Sequence, residues 1–147
     1  MSVSRSMPAG SQTSIGGTIA ALAPWTHALL RIGAGLLYMQ HGVQKLFGLF
    51  GGMDGSGGTA ALMSQLGLAG VLETFGGLLL VLGLLTRPVA FLLAGEMLVA
   101  LLQVHLPRGG VPIQNGGELP LLFMLVFLFL VGHGAGPASL DARRRTP

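Results

Sequence analysis

Four apolar runs, the first two parted by a long glycine-rich link and the others by shorter connections, constrain this chain more than any other feature. They occupy residues 24–47, 67–85, 88–105 and 116–133. At ~1.5 Å per helical residue, each reaches roughly 27–36 Å, enough to cross a hydrocarbon core. The charge count agrees. Soluble domains carry roughly 25% Asp, Glu, Lys and Arg, whereas this chain has 9%, beside 51% hydrophobic residues. Glycine is abundant (25 of 147 residues) with no Gly-x-y repeat, which suits helices packing closely through small residues. The predicted fold is therefore all-α, a four-helix transmembrane bundle.

Its boundaries follow from the punctuation. Residues 1–23 read as a flexible N-terminal tail. Ala21-Leu22-Ala23 resembles a cleavage site, but the apolar stretch before it is thin and glycine-containing, so a cytoplasmic tail is preferred. Pro24 is expected to open the first helix, with Trp25 at interface depth. Thr86-Arg87-Pro88 predicts the turn between the second and third spans. The membrane domain covers 24–134, and 135–147 form a C-terminal cytoplasmic tail. Arg5, Arg87 and Arg143 to Arg145 fall on one side, against Lys45 and Arg108 on the other, so both termini are expected in the cytoplasm.

Several chemistries are excluded. The chain has no cysteine, hence no thiol nucleophile, disulfide or Cys-ligated cluster. A net charge of +3, with three arginines crowded at the C-terminus, makes no stripe for nucleic acid. No two histidines stand at metal-ligand spacing, so no metal site is expected, nor a covalently bound cofactor.

What stands out is the set of ionisable residues within the spans, where each ion is costly and faces a partner or a wet cavity. Arg31, Tyr38, His41 and Lys45 lie within about 80° of one helix face. Counting depth from Pro24 and Pro88 puts Arg31 and Glu96 at matching height, which predicts a structural ion pair. The same ruler groups His41, Lys45, Glu73, Gln103 and Glu118 in an outer cluster, with Asn115 and His105 near its rim. One proton on His41 or a carboxylate would neutralise these fixed charges. Gly76 and Gly83, on the face of Glu73, read as close-packing positions.

The series Arg31…His41-Gly42-x-x-Lys45, then Glu73-Thr74-Phe75-Gly76-Gly77, then Gly83-Leu84-Leu85-Thr86-Arg87, resembles the DoxX family. Asn115-Gly116-Gly117-Glu118 and residues 134–141 extend the likeness to most of the chain. The resemblance implies a small four-span protein of the bacterial cytoplasmic membrane. It also implies association with redox systems: the family takes its name from a subunit of an archaeal thiosulfate:quinone oxidoreductase.

The functional expectation is a membrane subunit of a quinone-linked, sulfur or oxidative-stress redox system. His41 with Glu73 or Glu118 would hydrogen-bond a quinone and relay protons. Lys45 would stabilise negative charge on the ligand, and Tyr38, Gln103 and Asn115 would line the site. That scheme requires His41, Glu73 and Glu118 to converge on one cavity open to lipid. The rivals are a non-catalytic anchor recruiting a soluble partner, which needs a dry interior, and a small proton-coupled transporter. Membrane lipid, a soluble redox protein and a second copy of the chain are the partners this reading admits.

Overall fold

The computed structural model describes residues 15–144. Arg5 and Arg145, counted above as topology signals, lie outside them, as does most of the expected N-terminal tail. Among the described residues the fold is all-helical, without strands. It comprises α1 (Ile15–Phe47), α2 (Gln65–Leu82), α3 (Thr86–Arg108), α4 (Pro112–Asn115), α5 (Glu118–His133) and α6 (Leu140–Arg143). By length and composition α2 and α3 suffice to cross a membrane, and α5 is a shorter apolar helix.

The long helices associate as two pairs, α1 with α2 and α3 with α5. The first pair is a glycine seam. A Cβ on Gly35 would lie 2.8 Å from the carbonyl oxygen of Gly77, and one on Gly77 would lie 2.7 Å from that of Gly35. A Cβ on Gly42 would run into Thr74 and the carbonyl of Gly70. Gly35 and Gly42 are seven residues apart, as are Gly70 and Gly77, so two turns of each helix meet backbone to backbone. The pairs join through Tyr38, whose ring meets Phe123 and Phe127 edge-on at 5.1 and 4.8 Å. Gly76 also seats against Leu93.

Two boundaries differ from the sequence reading. The helix α1 begins at Ile15, with Pro24 inside it. The run Ala20-Ala21-Leu22-Ala23 has high helix propensity and carries the helix through the proline. The second turn lies at Gly83–Leu85, and Pro88 falls within the first turn of α3, where its missing N–H costs nothing. Gly83 (φ +63°) ends α2, with Gly83 N–H donating to the Leu80 carbonyl and Leu84 N–H to that of Leu79.

At this end of the bundle sits Arg31, fully buried. Its guanidinium donates to the carbonyls of Leu80 and Val81 in the last turn of α2, and to Ala135, Pro137 and Ala138 in the segment after α5. The carbonyls at a helix C-terminus are otherwise orphaned and electronegative, so a cation belongs there. The expected Arg31–Glu96 ion pair is therefore absent. Pro24 does not start the helix, so depth counted from it misplaces Arg31. Arg31 lies level with the α2–α3 turn, while Glu96 stands ten residues, ~15 Å, further along α3.

The C-terminal segment completes the junction. Leu85 cannot cap α3 with its own side chain, and Asp141 does so from a distance. Its Oδ1 accepts from Leu85 N–H and its Oδ2 from Thr86 N–H, both at 2.9 Å. Burial pushes this carboxyl up, but the backbone donors of Thr86 and Leu85 outweigh it and hold it below the usual carboxylate range. A depressed folded-state pKa stabilises above the unfolded value and is lost as pH falls through the folded one. Detergent-solubilised protein should thus lose melting temperature below about pH 4. Asp141→Asn should lower stability near neutrality and flatten that acid limb.

Two substitutions test the packing. Arg31→Leu removes the guanidinium from five carbonyls, two in buried and three in part-buried bonds, and should cost at least ~3 kcal/mol. Gly42→Leu forces α1 from α2 and should abolish recovery of monodisperse protein, whereas Gly95→Leu, in open space, should not.

Candidate functional site

Beyond the Gly83–Leu85 turn, α2 and α3 diverge and leave a cleft of about 780 Å³. Leu66, Ala69 and Leu72 of α2 form one wall, and Leu92, Val99, Ala100 and Val104 of α3 the other. Leu72, Leu92 and Val99 are also exposed on the outside, so the cleft opens sideways between the two helices. Leu119, Pro120 and Phe123 of α5 and the polar face of α1 form its back. Both walls contain a π-helical turn, Leu72–Gly76 in α2 and Leu101–His105 in α3. Such turns recur at functional sites because they rotate the following side chains off the α-helical register.

The polar groups form two layers. At the outer one, Lys45 Nζ donates to both carboxylate oxygens of Glu73, at 2.8 and 2.5 Å. Glu73 is buried and Lys45 half-buried, so the pair is largely shielded from solvent. Deeper, Tyr38 Oη donates to Glu96 Oε2 at 3.0 Å. The other oxygen, Oε1, is buried without a partner among the described residues. His41 lies between the layers, edge-on to Phe123 at 6.2 Å. His105 and Arg108 line the outer rim. His105 Nδ1 lies 3.0 Å from the Asn115 carbonyl; that oxygen only accepts, so Nδ1 carries the proton and Nε2 is left as an acceptor.

Tyr38, His41, Lys45 and Glu73 thus share one cavity, and Glu96 joins them instead of Arg31. The other expected members lie apart. Glu118 is exposed at the first turn of α5 and does not line the cleft, so its expected part in the relay is not supported by this geometry. The side chains of α5 that do face inward, Leu119, Pro120 and Phe123, are apolar. Gln103 is exposed and accepts from Gln65 Nε2 across the outer end of the cleft. Asn115 is buried but engaged in holding its own loop, donating to the Gly109 carbonyl and accepting from Gly117 N–H. Among the described residues no cluster of three metal-ligating side chains occurs.

Charge accounting gives Glu96 its chemical character. Lys45 and Glu73 neutralise one another, and Arg31 is committed to carbonyls at the far end of the bundle. Glu96 alone at the base has no cation against it, only a phenol. A carboxyl with one anchored oxygen and one buried, unpartnered oxygen can donate as the acid or accept as the carboxylate.

An all-helical protein with a lateral, apolar-walled cleft over buried ionisable groups belongs among membrane proteins. The comparisons are specific: the chain belongs to the DoxX family, which matches residues 26–106. It is 41% identical over 121 residues to a Haemophilus influenzae protein named only "Uncharacterized protein", covering 80% of this chain and 90% of that one. It is 31% identical over 115 residues to the "Putative oxidoreductase CatD" of Bacillus subtilis, covering 77% and 82% respectively. No solved structure matches.

The ion pair predicts a double-mutant signature. Lys45→Met leaves a buried carboxylate alone and should destabilise the solubilised protein by about 2–4 kcal/mol. The double substitution Lys45→Met/Glu73→Met should recover most of that loss in a thermal melt.

Proposed function

We propose that this protein is a multi-pass component of the bacterial cytoplasmic membrane, with both termini in the cytoplasm, and that its α2–α3 cleft binds an isoprenoid quinone for a membrane redox system. The single observation carrying this reading is the cleft itself. It opens sideways, as a ligand arriving from lipid requires, and its lining includes His41 and Glu96, one of whose carboxyl oxygens is buried without a hydrogen-bond partner. A volume of about 780 Å³ lies within the range of small-molecule sites. A purely structural anchor needs no such void.

The residues fit the headgroup chemistry of a quinone. Its oxygens accept hydrogen bonds when oxidised and donate them when reduced, and His41, or Glu96 once a small side-chain rotation turns the buried Oε1 to the cleft, can serve either state. Tyr38 positions Glu96. The Lys45–Glu73 pair supplies a polar outer contact and a second proton-holding site. Quinone reduction consumes two electrons and two protons; these side chains handle the protons, and a soluble redox partner exchanges the electrons. Leu72 and Leu92, exposed at the mouth of the cleft, would flank an isoprenoid tail leaving for the bilayer. The topology is supported by Arg87, Arg143 and Arg144 at the end of the bundle where α3 begins, against Lys45 and Arg108 at the other.

Mild-detergent purification followed by mass spectrometry of the extracted lipids tests the proposal. The native protein should retain quinone near stoichiometry. Glu96→Leu and His41→Ala should each retain about 10- to 100-fold less, the loss of a hydrogen bond to a charged or poised group. Equal retention in the native protein and both variants would sink it.

A further inference from the structure

The longest helix presents a face that no other part of the chain covers. Every seventh residue of α1, from Ile19 through Thr26, Gly33 and Gln40 to Phe47, lies on one stripe. Three places after each of the first four stand Leu22, Leu29, Leu36 and Val43. The spacing is that of an a/d heptad, in which two helices wrap with a left-handed supercoil; all four d positions are apolar, while Thr26, Gly33 and Gln40 take three of the five a positions. All nine positions are exposed or half-buried, and Ile19, Leu22, Leu29, Leu36 and Phe47 are 43–71% exposed. The stripe lies roughly opposite Arg31, Tyr38 and Gly42, which face the rest of the bundle.

Lipid alone does not account for this face. Gln40 is exposed at its centre and has no side-chain hydrogen bond among the described residues. It stands ~10 Å from the Phe47 end of α1, at hydrocarbon depth if the helix spans the membrane. An amide there is costly unless another helix meets it. One heptad before it, two turns along the helix, Gly33 has nothing within 4 Å of an added Cβ, a notch where a partner backbone can approach. Gly95 and Gly132 are equally open, but the helical positions three, four and seven residues from them on the same face are all apolar. Length makes the same point. The 33 residues of α1 reach ~50 Å against a hydrocarbon core of ~30 Å, so ~20 Å of an uncharged stripe extends past the lipid tails.

We infer that this face is a homodimer interface: α1 pairs in parallel with α1 of a second copy, and Gln40 hydrogen-bonds to its own counterpart. An amide carries both a donor and an acceptor, so it complements itself across a two-fold axis. Two copies inserted with one topology place their first helices parallel and in register, which brings Gln40 opposite Gln40. A polar residue at a single a position sets register and partner number in coiled coils. The inference rests on the membrane-spanning reading and is independent of what occupies the cleft.

The absence of native cysteine makes the test clean. Leu29→Cys, Gln40→Cys and, as a lipid-facing control on α3, Leu98→Cys are oxidised in native membranes and run on non-reducing gels. Leu29→Cys and Gln40→Cys should give a disulfide-linked species of twice the chain mass, at least tenfold above the control. Light scattering of the purified protein should show a dimer. Gln40→Leu, on the outer face and remote from the core, should weaken its dissociation constant about 3- to 30-fold, one interhelical hydrogen bond. Crosslinking no stronger than the control, a crosslinked partner of different mass, or an unchanged dissociation constant in Gln40→Leu would each overturn the inference.

Discussion

The buried guanidinium of Arg31 holds the architecture together. Five carbonyls from two separate segments converge on it: two end α2 and three belong to the chain after α5. It replaces the water those groups lack and ties the first helix, the second helix and the C-terminal segment into one junction. The C-terminal segment thereby delivers Asp141 to the start of α3, where its own N-cap residue is a leucine. All four long helices are thus fixed at one end of the bundle. Because that end is closed so firmly, the other is free to open.

The opening is the consequence with functional weight. From the Gly83 turn, α2 follows α1 along the glycine seam while α3 follows α5, so the walls separate as they rise. Within that gap, charge is nearly balanced. Lys45 and Glu73 cancel, leaving Glu96 and its phenol as the group that changes state with least disturbance to the fold. Tyr38 links the two roles: its ring packs on Phe123 and Phe127 in the core, and its hydroxyl orients Glu96 in the cleft.

Much of this was legible in the sequence, and the misreadings share a cause. Helical periodicity put Arg31, Tyr38, His41 and Lys45 on one face, and all four point into the protein. Periodicity says nothing of height, however, and a height counted from Pro24 starts well inside α1. That shift alone made Arg31 and Glu96 look like neighbours and hid the partnership of Tyr38 with Glu96. Glu118 and Gln103 were grouped by the same ruler, though the helix faces that carry them turn outward. The π turns leave no residue signature, because they arise where two helices accommodate one another. Arg31's carbonyl partners were beyond reach too, since backbone acceptors carry no side-chain code.

The most direct test of the central claim asks where a quinone lies in the bilayer-embedded protein. A photoreactive azidoquinone is irradiated in native membranes and the labelled peptides are mapped by mass spectrometry. Label concentrated on the α2 stretch around Leu66 to Leu72 and the α3 stretch around Leu92 to Val104, and removed by excess unlabelled quinone, is what the cleft predicts. Label spread evenly over the outward faces of α1 and α5, or indifferent to competition, would contradict it.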